Sequence, residues 1–218
     1  ANKIQLKTFN DSQAECIELG SPDIQVTCIT VLNLYCVLFG CQDGELLCYY
    51  LDDKLHCKYQ AHSHAISHIK SHPVDASESY VSGSVGGSVK LWKVENRAPK
   101  EIWSHDSIFF DPITALELLP ASKDVIVGSG EKVVQLNANG VIREFNCGHG
   151  KIEALRVVED SIFGVVAGVR HLANGVDQHH VVVKWKLSLI SPSPETLTSF
   201  SKEILRVNNS FHNVALKD

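Results

Sequence analysis

Four histidines, His62, His64, His68 and His72, share the spacing H-x-H-x3-H-x3-H. On a helix, the i, i+4 pairs would present imidazoles on one face and could hold a zinc ion. Pro73 follows directly, and the run crosses a predicted loop and strand, where the side chains diverge. The reading is therefore a loop histidine at His62 and surface histidines after it, with no metal. His179 and His180 lie in a polar segment and are expected to be solvated. Ser82-Gly83-Ser84 and Gly128-Ser129-Gly130 look like pieces of a nucleophile elbow, but the helix that must follow one is missing. Gly83-Ser-Val-Gly-Gly87 lacks the GK[ST] ending of a phosphate loop, so its glycines are assigned to a turn. The carboxylates show no pairing that nominates an acid and a base. No catalytic residue, metal or cofactor is expected, and the chain is read as a non-enzyme.

The bulk numbers agree with a globular module. Of 218 residues, 44% are apolar and 21% charged, enough for a real core. The net charge of −5 argues against a dedicated nucleic-acid binder, which would show a basic stripe. Lys90, Lys93, Arg97, Lys100, Lys184 and Lys186 are scattered singly and read as a solvated rim. No apolar run reaches the length of a membrane span, and the first residues lack the apolar region of a secretory signal. Methionine is absent, which points to a processed, trimmed or incompletely represented chain. Seven cysteines, an odd number with no CxxC pair, sit largely in apolar runs. They read as small buried hydrophobes in a reducing compartment, cytoplasmic or nuclear; a disulfide framework is the alternative.

Short Val/Ile/Leu-rich runs bounded by Gly, Asn, Asp and Ser dominate, so the elements that must position these residues are strands. The best helical candidate is the short segment 201–207. Four units align. The first runs through 26–32 and 35–41, turns at Asp43-Gly44 and returns over 45–50. The second runs through 65–70 and 80–84, turns at Gly86-Gly87 and returns through Trp92. The third uses 113–118, 125–129 and 132–136. The fourth uses 152–157, 162–168 and 181–185. Their first strands start roughly 40 to 47 residues apart, near the repeat of a four-stranded propeller blade. Asp43-Gly44 and Gly86-Gly87 suit two-residue hairpin turns, and Tyr49, Trp92 and Trp185 supply large rings between neighbouring sheets. Segment 170–180, polar and containing Asn174-Gly175, reads as a long surface loop.

These units resemble WD40 repeats. In the second, Ala61-His62 is similar to the opening Gly-His, Ser82-Gly83-Ser84 to the second-strand signature, and Leu91-Trp92-Lys93 to the closing Trp-Asp. Asp43-Gly44 occupies the turn of the first unit, and Tyr49 stands in place of its tryptophan. Gly148-His149 follows the third unit, and Lys184-Trp185-Lys186 closes the fourth. The chain departs from the pattern at Gly86, where the family has a turn aspartate, and at Lys93 and Lys186, where it has Asp. The third unit lacks the aromatic. The His–Ser–Trp–Asp network of such repeats would retain His62, Ser82 and Trp92.

The expected fold is all-β, a propeller of four-stranded antiparallel blades, with about four to five blades represented and the ring incomplete. The approximate blades are 24–62, 63–106, 107–149 and 150–200, with partial units at 1–23 and 201–218. The resemblance implies a scaffold or adaptor that binds other proteins within a larger complex. Arg170, His171, Asn174, Asp177, His179 and His180 are candidates for a partner-binding loop. Two rival readings are an RNA-associated propeller subunit and a propeller hydrolase with a channel metal. The second would need acidic or His ligands at the channel-facing strand starts, which here are Cys28, Ile66, Ile113 and Ile152. Direct nucleic-acid contact is not expected.

Overall fold

The computed structural model describes residues 5–10, 13–18, 25–52, 55–71, 79–119, 122–147, 150–172, 175–187 and 195–201. Among them every regular element is a strand. A two-stranded sheet, β1 (Gln5–Asn10) with β2 (Gln13–Glu18), precedes four four-stranded antiparallel sheets. Blade 1 is β3 (Val26–Asn33), β4 (Cys36–Cys41), β5 (Glu45–Tyr50) and β6 (Leu55–Gln60). Blade 2 is β7 (Ile66–Ser71), β8 (Ser79–Ser84), β9 (Val89–Glu95) and β10 (Ala98–His105). Blade 3 is β11 (Ile113–Leu118), β12 (Val125–Ser129), β13 (Lys132–Asn137) and β14 (Gly140–Asn146). Blade 4 is β15 (Lys151–Val158), β16 (Ser161–Leu172), β17 (Gly175–Lys186) and β18 (Glu195–Ser201). Strands pair in chain order within each sheet, and β3, β7, β11 and β15 pack each against the next. This is the all-β propeller arrangement that the repeat length and turn chemistry imply. Among the described residues, no hydrogen-bonded strand pairing closes the ring between blades 4 and 1.

The turns between second and third strands do more than reverse the chain. Gly44 has φ +83° and Gly87 φ +78°, a left-handed conformation open to glycine at little cost. A Cβ on Gly44 would lie 2.2 Å from the His62 carbonyl oxygen, and one on Gly87 2.0 Å from that of Phe109. The close approach has a purpose. The Gly44 carbonyl accepts the amides of Ala61 and His62 at 3.1 Å each, and Asp43 Oδ1 accepts the Glu45 amide at 3.0 Å. Gln60 Nε2 donates to the carbonyls of Asp43 and His62 at 3.1 and 2.7 Å. The turn of blade 1 thus fixes the strap that carries His62 into blade 2.

Apolar side chains fill the spaces between blades. Cys36, Leu38, Leu46 and Cys48 of blade 1 meet Ile66, Ile69, Tyr80 and Trp92 of blade 2. Val81, Val89 and Leu91 meet Ile113, Leu116 and Val127 between blades 2 and 3, and Ala115, Ile126 and Val133 meet Ile152, Leu155 and Trp185 between blades 3 and 4. Trp92 lies against Tyr80 with centroids 6.2 Å apart and planes at 13°, and burying such a ring contributes about 1.5–3 kcal/mol. Strand starts expected to face a channel do not do so. Ile66, Ile113 and Ile152 are buried in these inter-blade layers, over Gly40, Gly83 and Gly128, where any Cβ would collide with them.

A second correction concerns 170–180. It is no irregular loop: β16 and β17 keep their ladder through Gly168↔His179, Val169↔Gln178, Arg170↔Asp177, His171↔Val176 and Leu172↔Gly175. Among the described residues the pairing of β15 ends at Ala167 and that of β18 at His179, so this part of the hairpin continues as a two-stranded ladder. Asn174, His149 and the helical candidate beyond Ser201 lie outside the described residues.

Candidate functional site

The chemistry-bearing residues that the fold brings together form one buried chain of hydrogen bonds in blade 2. Trp92 Nε1 on β9 donates to Ser82 Oγ on β8 at 2.8 Å. Ser82 Oγ lies 2.7 Å from His62 Nε2, and His62 Nδ1 lies 2.6 Å from Ser88 Oγ. Ser88 Oγ lies 2.7 Å from Ser84 Oγ, which accepts the turn amides of Gly86 and Ser88 at 3.2 and 3.3 Å. His62 is 3% exposed and Ser82 fully buried. Burial, with a smaller contribution from the nearby Lys90 charge, pushes the His62 pKa down to about 4. The ring is neutral at pH 7, with one N–H and one lone pair, and each nitrogen faces a hydroxyl that can serve as donor or acceptor.

His62, Ser82 and Trp92 are therefore joined as the motif suggests, and the chain is extended by Ser84, named above only as part of the strand signature, and by Ser88, which was not singled out from sequence. The signal was present in the serines flanking Val85-Gly86-Gly87. Where the family has a turn aspartate, Gly86 lies against the exposed His64 ring, which any Cβ there would displace, its Nδ1 being 2.5 Å away. His64 covers that turn from the solvent side and sits 3.0 Å from Ser63 Oγ. A serine at 88 reaches Nδ1 from within the turn instead.

Ser82 beside His62 has the spacing of a nucleophile and its base, yet both His62 nitrogens are occupied and Ser82 has no surface. A cavity of about 330 Å³ opens above, lined by Gln60, His62, His64, Gly86, Lys90 and Asp106 among others. Its lysine is engaged: Lys90 Nζ is 3.9 Å from Asp106 of the same lining and 3.1 Å from Glu101 outside it.

The other signature residues are spread over the ring. Asp43 and Gly44 form the blade 1 turn. Tyr49 is buried with Val37 and Phe39 on the face of blade 1 turned away from blade 2, and its hydroxyl has no hydrogen-bond partner among the described residues. Trp185 is buried and donates to the Asn146 carbonyl at 2.7 Å, in place of a serine. His180, expected in solvent, is half-buried on β17 with Nε2 3.1 Å from Glu153. His179 is also half-buried on that strand. Among the described residues, no group of three His, Cys, Asp or Glu is placed to hold a metal, and no helix is long and apolar enough to cross a membrane.

Sequence reading also missed a charge cluster on the innermost strands. Glu117 on β11 is 8% exposed. Its Oε1 lies 3.5 Å from Lys70 Nζ on β7 and 3.3 Å from Arg156 Nη1 on β15. The three residues take the equivalent place in blades 2, 3 and 4, each facing a second-strand partner: Val81, Ile126 and Phe163. They are far apart in sequence, so no local spacing could show it.

The comparisons agree on fold and say nothing of chemistry. No protein-family model matches the sequence, and no curated protein matches it. Among solved structures, the chain is similar to the computationally designed Ika4 protein, with TM-score 0.61 and 16% identity over 78% of this chain and 96% of that one. It is also similar to a chain in the crystal structure of the mitotic checkpoint complex, with TM-score 0.62 and 14% identity over 80% of this chain and 53% of that one. The match thus spans about half of the second protein. At such identities the likeness is one of architecture.

Proposed function

We propose that this chain is a non-catalytic interaction module of the WD40-repeat kind, a subunit that holds other proteins in a larger assembly through the exposed innermost strand of blade 1. One observation supports the reading above the rest. Ile29, Ile69, Leu116 and Leu155 occupy the same position, just past the irregularity of each innermost strand. Ile69, Leu116 and Leu155 are 3%, 1% and 8% exposed against the preceding blade, whereas Ile29 is 55% exposed. Val31 beside it is 61% exposed, and Leu34 and Tyr35 in the following turn 84% and 61%. Contiguous exposed apolar side chains of this kind mark interaction surfaces. The partner that fits is another sheet with an apolar inner strand, as blade 1 itself offers to blade 2.

The His62 network is structural in this reading: it pins the strap between blades and leaves nothing free to react. The checkpoint-complex match is consistent with a propeller serving within an assembly. The β16–β17 hairpin with Arg170, His171, Asp177, His179 and His180 is a second partner surface. A reducing compartment, cytoplasm or nucleus, belongs to this reading, and the buried thiols of Cys36, Cys41 and Cys48 support it.

Quantitative affinity capture tests the proposal. Ile29→Asp/Val31→Asp should lose the proteins that co-purify stoichiometrically, while Ile142→Asp, on an exposed outer strand, should keep them. An identical set of co-purifying proteins from all three would refute the blade 1 assignment. Deleting 170–180 without loss of any of them would remove the hairpin from the account.

A further inference from the structure

Cys48 on β5 and Cys57 on β6 stand directly opposite each other in the ladder of blade 1. The Ala61 amide bonds the Gly44 carbonyl in the same ladder. Alternation from that pair puts Cys48 and Cys57 at a hydrogen-bonded position, where Cα atoms are about 5.5 Å apart. A disulfide spans about 4.4–6.8 Å between Cα atoms, so the backbone already has the required separation. The two thiols are hydrogen-bonded to each other.

Their surroundings differ. Cys48 is fully buried in the layer between blades 1 and 2. Cys57, on the outermost strand, is half-buried, and its Sγ lies 3.8 Å from the Arg97 carbonyl oxygen in the β9–β10 turn of blade 2. The hydrogen bond from Cys48 holds the Cys57 thiol below the ordinary thiol range, and that bond together with burial holds Cys48 well above it. Cys41 and Cys147 are each pushed up to about 12, chiefly by burial.

We infer that Cys48 and Cys57 are a reversible cross-strand dithiol, a modification site for low-molecular-weight disulfides such as oxidised glutathione. The Cys57 thiolate attacks one sulfur of the small disulfide. An S–S bond forms to Cys57 while the small disulfide's own S–S bond breaks and releases one thiolate. Cys48 then gives up its proton and attacks the Cys57 sulfur, forming the protein disulfide and expelling the second small thiolate. The two protein thiols are oxidised, and the small disulfide is reduced to two thiols. The partly exposed, more acidic Cys57 is the attacking group, and the buried Cys48, already in contact, resolves the mixed disulfide.

The test is to incubate the full folded chain with oxidised glutathione, block remaining thiols with N-ethylmaleimide, digest with trypsin and chymotrypsin, and map the linkages by mass spectrometry. The expected product joins Cys48 to Cys57, disappears on treatment with dithiothreitol, and is absent from Cys57→Ser but undiminished in Cys147→Ser. Cys48→Ser should stop at a glutathione adduct on Cys57. The inference fails if Cys57 stays alkylated throughout, if it joins Cys36 or Cys28 instead, or if Cys41 and Cys147 react as fast. The wild-type map decides alone should a serine variant not fold.

Discussion

His62 Nδ1 and Ser88 Oγ lie 2.6 Å apart in the interior of blade 2, so a turn serine satisfies a histidine delivered from the strap between blades. This pair ties the strap that leaves blade 1 to the β8–β9 turn of blade 2.

Removing hydroxyls from the chain should cost stability in a fixed order. Ser88→Ala leaves one buried ring nitrogen unpaired, at about 1–3 kcal/mol. Ser82→Ala strands both His62 Nε2 and Trp92 Nε1 and should cost more, roughly twice as much if the two losses add. Urea unfolding followed by tryptophan fluorescence checks the order; equal effects would show that His62 and Trp92 find other partners.

Acid should weaken the fold through His62. In the unfolded chain the ring titrates near pH 6.5, whereas burial in the folded chain lowers it to about 4. Between those values the unfolded state binds the extra proton. The contribution is complete above about pH 6.5, declines as pH falls and is lost by about pH 4, amounting to about 3 kcal/mol. Urea midpoints measured from pH 7.5 to 4 should fall more steeply for the native chain than for His62→Asn. Parallel curves would contradict this origin.

Glu117 should matter more than its neighbours on the innermost strands. Glu117→Ala removes the common anion between Lys70 and Arg156, whose side chains retain 35% and 69% exposure. Because both cations keep access to water, the loss should be modest, on the order of 1–2 kcal/mol. Thermal unfolding at low and high salt checks it: added salt should shrink the difference from wild type.

Two glycine substitutions separate conformation from contact. Gly140 has φ +114° with open space around it, while Gly87 has φ +78° beneath the Phe109 carbonyl. Gly140→Ala should cost about 1–3 kcal/mol for backbone strain alone. Gly87→Ala adds a collision and should exceed it clearly, to the point of loss of soluble protein. Similar melting temperatures for the two variants would disprove the tight strap-on-turn packing.

What was legible in the sequence follows from locality. Asp43-Gly44, Gly86-Gly87 and the rings at Tyr49, Trp92 and Trp185 are local signals with a fixed interval, so the antiparallel blades could be read directly. His62, Ser82 and Trp92 could be placed in one network because a repeat pattern spans them. Ser88 was missed because the repeat pattern carries no serine at that place, although the serines flanking Val85-Gly86-Gly87 were in view; its role comes from facing His62 Nδ1 in the folded turn. Glu117 with Lys70 and Arg156, and Ile29 against Ile69, Leu116 and Leu155, depend on how blades are arranged about an axis, and no window of sequence contains that. The segment 170–180 was misread because polar residues around an Asn-Gly pair suit a hairpin turn as well as an irregular loop.

Amide hydrogen exchange, comparing the purified chain with the chain inside its captured assembly, tests the account most directly. Slower exchange confined to β3 and the Leu34–Tyr35 turn, with β7, β11 and β15 unchanged, is the predicted result. Unaltered exchange along β3, with protection elsewhere, would contradict the claim that the exposed innermost strand of blade 1 is where partners bind.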